Sequence, residues 1–304
     1  MTDAKADITV VVPTALHSAR ADSIERAVES ILSQSGVRAI PLLVVNGPAY
    51  DRDLLRRWQS DPRVRCHYLQ TGSLPGAIRH GRSLVETPYF SFLDDDDLYE
   101  PNTLRVRVEA FDADGAEQPD VVVCNGLREV GERVTRCFRN MSAYGSDPLR
   151  ALLDQNWLAS CGGTFRSASV GVEYFDGVTK YLEWTTTAFH CATRLKIHFI
   201  ETLAYRLFDS EVSLSKSVNY RRGVVDGLGV IAKLELPADV RAAVLRKRSH
   251  ALHELSDWYR LEGRLANAWG AHLNCVRGRD GLRYLTFTLR LLYSTLTGRG
   301  SRPA

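Results

Sequence analysis

The 304-residue chain predicts an α/β protein, with a mostly parallel, doubly wound central sheet flanked by helices and followed by a helical appendage. Three observations predict it. Apolar runs of strand length alternate with segments of helical period, polar residues fall at the strand ends, and the pattern becomes purely helical from Pro237. The first run, "ITVVVPT" (8–14), reads as a strand buried on both faces. Ile24, Ala27, Val28, Ile31 and Leu32 then recur at helical spacing, with Asp22 and Glu25 expected to form a capping box. "AIPLLVVNG" precedes the helical "YDRDLLRRWQ"; "VRCHYL" leads through a turn and another helix to "PYFSFLD". "DVVVCNG" continues the sheet, and residues 155–206 mix glycines, short strands and one helix. Beyond Pro237, Leu252, Leu255, Trp258, Leu261, Leu265 and Trp269 repeat every three or four residues. The expected division is therefore a domain at 1–236 and a basic amphipathic helical region at 237–304.

Composition narrows the function classes. A hydrophobic share of 44% is that of a globular chain and excludes a disordered one. The net charge of +3 conceals an asymmetry: from Arg241 onward twelve Arg/Lys face four acids, a surplus of eight that leaves the preceding residues at −5. "MTDAKADITVVVP" has acids and no basic segment ahead of its apolar stretch, so no secretory signal is expected and the protein is placed in the cytoplasm. Six scattered cysteines without a C-x-x-C pair argue for reduced thiols and against a zinc site. No stretch is long and apolar enough for a bilayer span.

In open α/β sheets ligands bind at the carboxyl ends of strands, and Thr14, Asn46 and Asp94 each follow one. Asp94 opens "FLDDDDLYEP", four consecutive carboxylates that require a cation, hydrogen-bond donors or water opposite them. Asp-x-Asp after a strand suits a divalent cation that neutralises a nucleotide diphosphate. The alternative is a solvated start to the helix expected at 102–111, where acids complement the helix dipole.

The order "VVVPT", "VVNGP", "GAIRHG", "FLDDDDLYEPNTL" resembles the family 2 glycosyltransferases, inverting enzymes of the Rossmann-like GT-A nucleotide-sugar transferase fold. The resemblance spans residues 8–215, and the acidic motif with its trailing proline and leucine is its specific part. It implies Mn2+ or Mg2+ as cofactor, a nucleotide-sugar donor, with a UDP-sugar first among them, and a glycan, lipid-linked or secondary-metabolite acceptor in cell-surface polysaccharide biosynthesis. By position, Asp94 and Asp96 match the metal-binding acids of the DXD motif. Thr14, Asn46, Arg79, Asp94 and Asp95 fall on the donor side, Asp95 at a position variable in the family. Asn46 departs from the usual aspartate; its amide both accepts and donates.

Inverting transfer needs a general base for the acceptor hydroxyl. In "TKYLEWTTTAFHCATRL", Glu183 is the only acid where the family carries a Glu-Asp-aromatic motif, so the resemblance makes Glu183 the base, with Asp176 and Asp209 in reserve. "CGGTFRSA" resembles the acceptor-side loop, its Gly162 and Gly163 allowing backbone approach, although glycines in a turn explain it as well. In "AYRLFDSEVSLS", Phe208 and Asp209 stand where the family has a histidine segment. Arginines interleaved with Tyr284, Phe287, Leu291, Leu292 and Tyr293 fit an interfacial helix on anionic membrane or a core-packing helix with a solvated face. No recognition motif points to nucleic acid. The rival readings are a sugar-nucleotide-binding protein that keeps the fold without catalysis, and a nucleotidyltransferase, for which "PTALHSARADS" lacks a glycine- and lysine-rich phosphate loop.

Overall fold

The computed structural model describes residues 8–112, 118–208 and 218–298. The chain divides into two compact units, Met1–Val178 with Glu183–Glu211, and Thr179–Leu182 with Val212–Ala304. The expected boundary at 236 falls inside the second of them.

The first unit is a nine-stranded sheet with helices. In chain order it contains β1 (Ile8–Thr14), α1 (Ala21–Leu32), β2 (Ala39–Asn46), α2 (Arg52–Ser60), β3 (Arg65–Leu69), α3 (Leu74–Ser83), β4 (Tyr89–Phe92), β5 (Leu98–Tyr99) and α4 (Thr103–Glu109). Then follow β6 (Val121–Val130), β7 (Arg133–Arg136), α5 (Pro148–Ala151), β8 (Gly163–Arg166), α6 (Glu183–Arg194) and β9 (Ile197–Phe208). The strand order is β3-β2-β1-β4-β8-β6-β9-β5, with β7 paired to β6. β1 pairs in parallel with both β2 and β4, Thr14 opposite Val45, so the winding direction reverses at β1. β8 runs antiparallel between β4 and β6, and β9 pairs in parallel with β6. Six of the nine strands thus point the same way, in line with the expected parallel core, while β5, β7 and β8 run against them.

Every residue of β1 is buried, as are the centre of β2 and Phe90 to Leu93, which is why these strands read as continuous apolar runs. α1 closes one face with Ile24, Ala27, Val28 and Ile31. α3 lies close on β1 and β2 because Gly81 has no side chain; a Cβ there would run into Val11 Cγ1 and Val44 Cγ2. Inside, the buried Arg107 donates to the Cys161 carbonyl at 2.9 Å and lies over the Tyr99 ring at 4.4 Å.

Two local readings are corrected, and the glycine pair has a packing explanation. The capping box on α1 does not form: the residue before the helix is Arg20, it makes no side-chain cap, and Asp22 lies inside the first turn. The acidic run does not start a helix, since β5 intervenes and α4 begins after Asn102, which is left-handed at φ 60°. Gly162 and Gly163 serve packing: a Cβ on Gly163 would meet Leu158 and Phe165 at 2.8 Å, and the two carbonyls accept from Cys124 N (3.0 Å) and Ser91 Oγ (2.6 Å).

The second unit contains α7 (Val218–Ile231), α8 (Ala238–Leu261), α9 (Leu265–Arg277) and α10 (Thr286–Thr297). Its core joins Val225, Leu252, Leu255, Tyr259, Ala268 and Leu291, with Trp258 and Trp269 packed at the edge. All six cysteines are free thiols. Among the described residues no helix is long and apolar enough to cross a membrane.

Candidate functional site

The site is built where β1, β2 and β4 end. At the end of β1 the Thr14 hydroxyl donates to Asp95 Oδ2 at 2.6 Å and accepts from the amide of Leu16 at 2.9 Å. That second bond holds Leu16, fully buried, in the left-handed region at φ 51°, a conformation that a non-glycine residue keeps only when its surroundings impose it. At the end of β2, Asn46 Nδ2 donates to the Thr14 carbonyl at 3.0 Å, and its Oδ1 accepts from Ser73 N at 3.1 Å. Asn46 therefore ties β1 to the loop that opens α3, where Ser73 caps the helix through Gly76 N at 3.2 Å.

β4 delivers the acids. Asp94 and Asp97 close a turn through Asp97 N to Asp94 O at 3.2 Å. Asp95 is buried; burial raises its carboxyl, against the hydrogen bond from Thr14 and the charge of Arg20. Arg20 bonds both Asp95 and, at 2.7 Å, the partly exposed Asp96. Asp97 is also buried, accepts from Phe208 N at 3.1 Å, and is pushed up to about 8, first by burial and then by Asp94 and Asp96. Asp94, bonded to Ser160, is pushed up to about 6, first by burial and then by Asp96, Asp95 and Glu183.

Glu183 opens α6 and is 7% exposed. The next residue, Trp184, packs its ring 5.0 Å from Phe92, the last residue of β4. This contact brings the start of α6 to the mouth of the acidic turn, where the Glu183 charge acts on Asp94. Thr14, Asp94, Asp95, Asp96 and Glu183 thus converge, with Asn46 joined to them through Thr14. Arg79 on α3 instead makes an ion pair with Asp176, both side chains half exposed. Phe208 occupies the end of β9 beneath the Arg26 guanidinium, and Asp209 lies outside the described residues.

Two residues escaped the sequence reading. Arg20 belongs to no motif; only the need for a cation beside four carboxylates could have pointed to it. Ser160 comes from a loop 66 positions after Asp94, and nothing in its neighbours advertises the contact. Among the described residues no three His, Cys, Asp or Glu side chains form a metal cage. Asp94 makes no ion pair among the described residues, and a divalent cation beside it would offset the repulsion from Asp96, Asp95 and Glu183. Two carboxylates complemented by phosphate oxygens and water are the usual ligand set of Mg2+ at a nucleotide, and Asp94 with Asp96 fits it.

The sequence model of "Glycosyl transferase family 2" matches residues 9–173, more than half of the chain. Succinoglycan biosynthesis protein ExoO of Rhizobium meliloti (strain 1021) is 38% identical over 112 residues, covering 36% of this chain and 31% of that protein. An uncharacterized glycosyltransferase of Rickettsia conorii is 25% identical over 115 residues, 37% of this chain and 18% of its own length. The match spans a third or less of these relatives. Among solved structures, S. aureus TarS 1-349 in complex with UDP-GlcNAc superposes with a TM-score of 0.65 at 14% identity, covering 89% of this chain and 81% of that one. The same protein in complex with UDP gives 0.60. With the family model matched from β1 through β8, including the acidic turn, and with the fold shared with TarS, the chain belongs to glycosyl transferase family 2 and has the GT-A fold.

Proposed function

We propose that the protein is a metal-dependent, inverting glycosyltransferase that moves a sugar from a UDP-sugar to a hydroxyl of a glycan or lipid-linked acceptor in polysaccharide biosynthesis. The observation that carries this reading is the buried Glu183 beside Asp94 at the carboxyl end of β4. Asp94 and Asp96 would hold Mg2+ or Mn2+, which when bound neutralises charge on the leaving diphosphate. Glu183 takes the proton of the acceptor hydroxyl as its oxygen bonds to the anomeric carbon; the bond from that carbon to the diphosphate breaks opposite, with its electron pair leaving on phosphate oxygen.

Asn46 spends one N–H on Thr14 and one lone pair on Ser73, which leaves one donor and one acceptor for the edge of a base. Uracil offers the complement of both. The choice of UDP is further supported by the two TarS complexes, and the polysaccharide by the name of the Rhizobium relative.

Calorimetry of UDP with and without Mn2+ tests the reading. The wild-type protein is expected to bind UDP at least about tenfold more tightly with Mn2+, a difference of about 1.4 kcal/mol, and Asp96→Asn to lose that gain. Equal metal dependence in the two proteins contradicts the assignment of Asp96.

A further inference from the structure

α10 is apolar on two opposite faces. Phe287 and Leu291 point inward and belong to the core of the second unit. On the other side Leu285, Leu289, Leu292, Tyr293 and Leu296, spaced i, i+4, i+7, i+8 and i+11, form a ridge, continued by Leu282 in the preceding turn. Leu289 is 72% and Leu296 85% exposed. A helix apolar all round is a buried helix, and a contiguous apolar patch on a surface marks a contact.

Next to the ridge lies a cavity of about 350 Å³ lined by His253, Arg283, Tyr284, Thr286, Phe287 and Arg290. Arg283 donates to the Tyr284 hydroxyl at 2.7 Å, and neither Arg283 nor Arg290 pairs with a carboxylate among the described residues. The sequence from Arg241 onward carries the surplus of eight positive charges. Two guanidinium groups at a cavity beside an exposed leucine ridge are complementary to one occupant, an anionic phospholipid surface. We propose that this face of the second unit docks on such a surface. The ridge enters the boundary between headgroups and acyl chains, while Arg283 and Arg290 meet lipid phosphates. A second copy of the chain fits less well, because a two-fold contact would bring the same arginines towards each other.

The inference is independent of the donor chemistry, and its test uses the full chain. Co-sedimentation is measured with vesicles of phosphatidylcholine alone and of phosphatidylcholine mixed with phosphatidylglycerol, at low and high salt. Wild-type protein is expected to follow the mixed vesicles, and less so at high salt. Leu289→Glu with Leu296→Glu should release it, and these side chains are exposed enough that the melting temperature and UDP binding stay unchanged. Arg283→Ala and Arg290→Ala should each weaken binding to the mixed vesicles about fivefold, the equivalent of about 1 kcal/mol per basic residue near an anionic surface. Equal sedimentation of wild type and the double leucine variant overturns the proposal, as does equal binding to both vesicle types. It is also overturned if wild type is a dimer that Leu289→Glu splits and neither form binds vesicles.

Discussion

Asp95 shows how the acidic turn is tolerated. The side chain is buried, which raises its carboxyl, and the Thr14 hydroxyl and the Arg20 guanidinium that face it act in the opposite sense. Arg20 spans two carboxylates with two nitrogens, a fork that a lysine ammonium cannot reproduce. Arg20→Ala is therefore expected to cost about 1–3 kcal/mol in urea unfolding, the penalty of leaving a buried charged acceptor without its donor, with Arg20→Lys between the two. Asp97 carries the opposite problem, since among the described residues it has a backbone donor and no ion pair. Its carboxyl is raised from 3.8 to about 8, so the folded protein holds this proton more tightly than the unfolded chain. The stability it contributes is complete below pH 4 and is lost as pH rises through 8. Asp97→Asn keeps the acceptor for Phe208 N and removes the titration. Thermal melts of metal-free protein should show the variant gaining on wild type as pH rises from 5 to 8.5, and a gap that stays constant would contradict the account.

At the scale of elements, what was legible depended on how local the cause was. β1, β2 and β4 were legible because strands covered on both faces must be apolar at every position, and their polar end residues announced the site. The convergence of Asp94 with Glu183 was legible only through a motif, since it rests on the contact of Trp184 with Phe92, 92 positions away in the chain. The capping box was misread because Asp22 and Glu25 have suitable spacing, whereas the helix starts directly from a preceding turn of 3-10 helix at Ser18–Arg20. β8 was obscured by Gly163 at its start and Gly162 before it, which pack against Leu158, Phe165 and Tyr205. Gly81 permits a sharper test of such packing. Gly81→Ala gains about 1 kcal/mol of helix propensity, yet its Cβ must displace buried Val11 and Val44, at a cost of about 1–3 kcal/mol. Net destabilisation in urea is the expected result; a stabilised variant would mean that α3 does not lie this close to the sheet.

For the whole molecule, the first unit carries the acids, the nucleotide-side residues and Glu183, while the second carries most of the basic surplus and the exposed leucine ridge. Donor chemistry and surface attachment are thus assigned to different parts of the chain and can be broken separately. The family and the fold were readable from the order of four short motifs, because three of them sit where a parallel strand ends and the fourth, "GAIRHG", lies on α3 between two of those strands. The basic tail was readable only as charge, because the face a helix leaves exposed is decided by packing; Phe287 and Leu291 turned inward where Leu289 and Leu296 did not. The central claim is that Glu183 performs proton transfer in a site that binds its donor through other residues. Glu183→Gln keeps the shape and cannot take up a proton, so the direct measurement is its UDP-sugar turnover with Mn2+ beside its UDP affinity. Turnover should fall about a hundredfold or more while affinity stays within about twofold of wild type. Wild-type turnover in Glu183→Gln, with loss instead in Asp176→Asn or Asp209→Asn, would contradict the assignment.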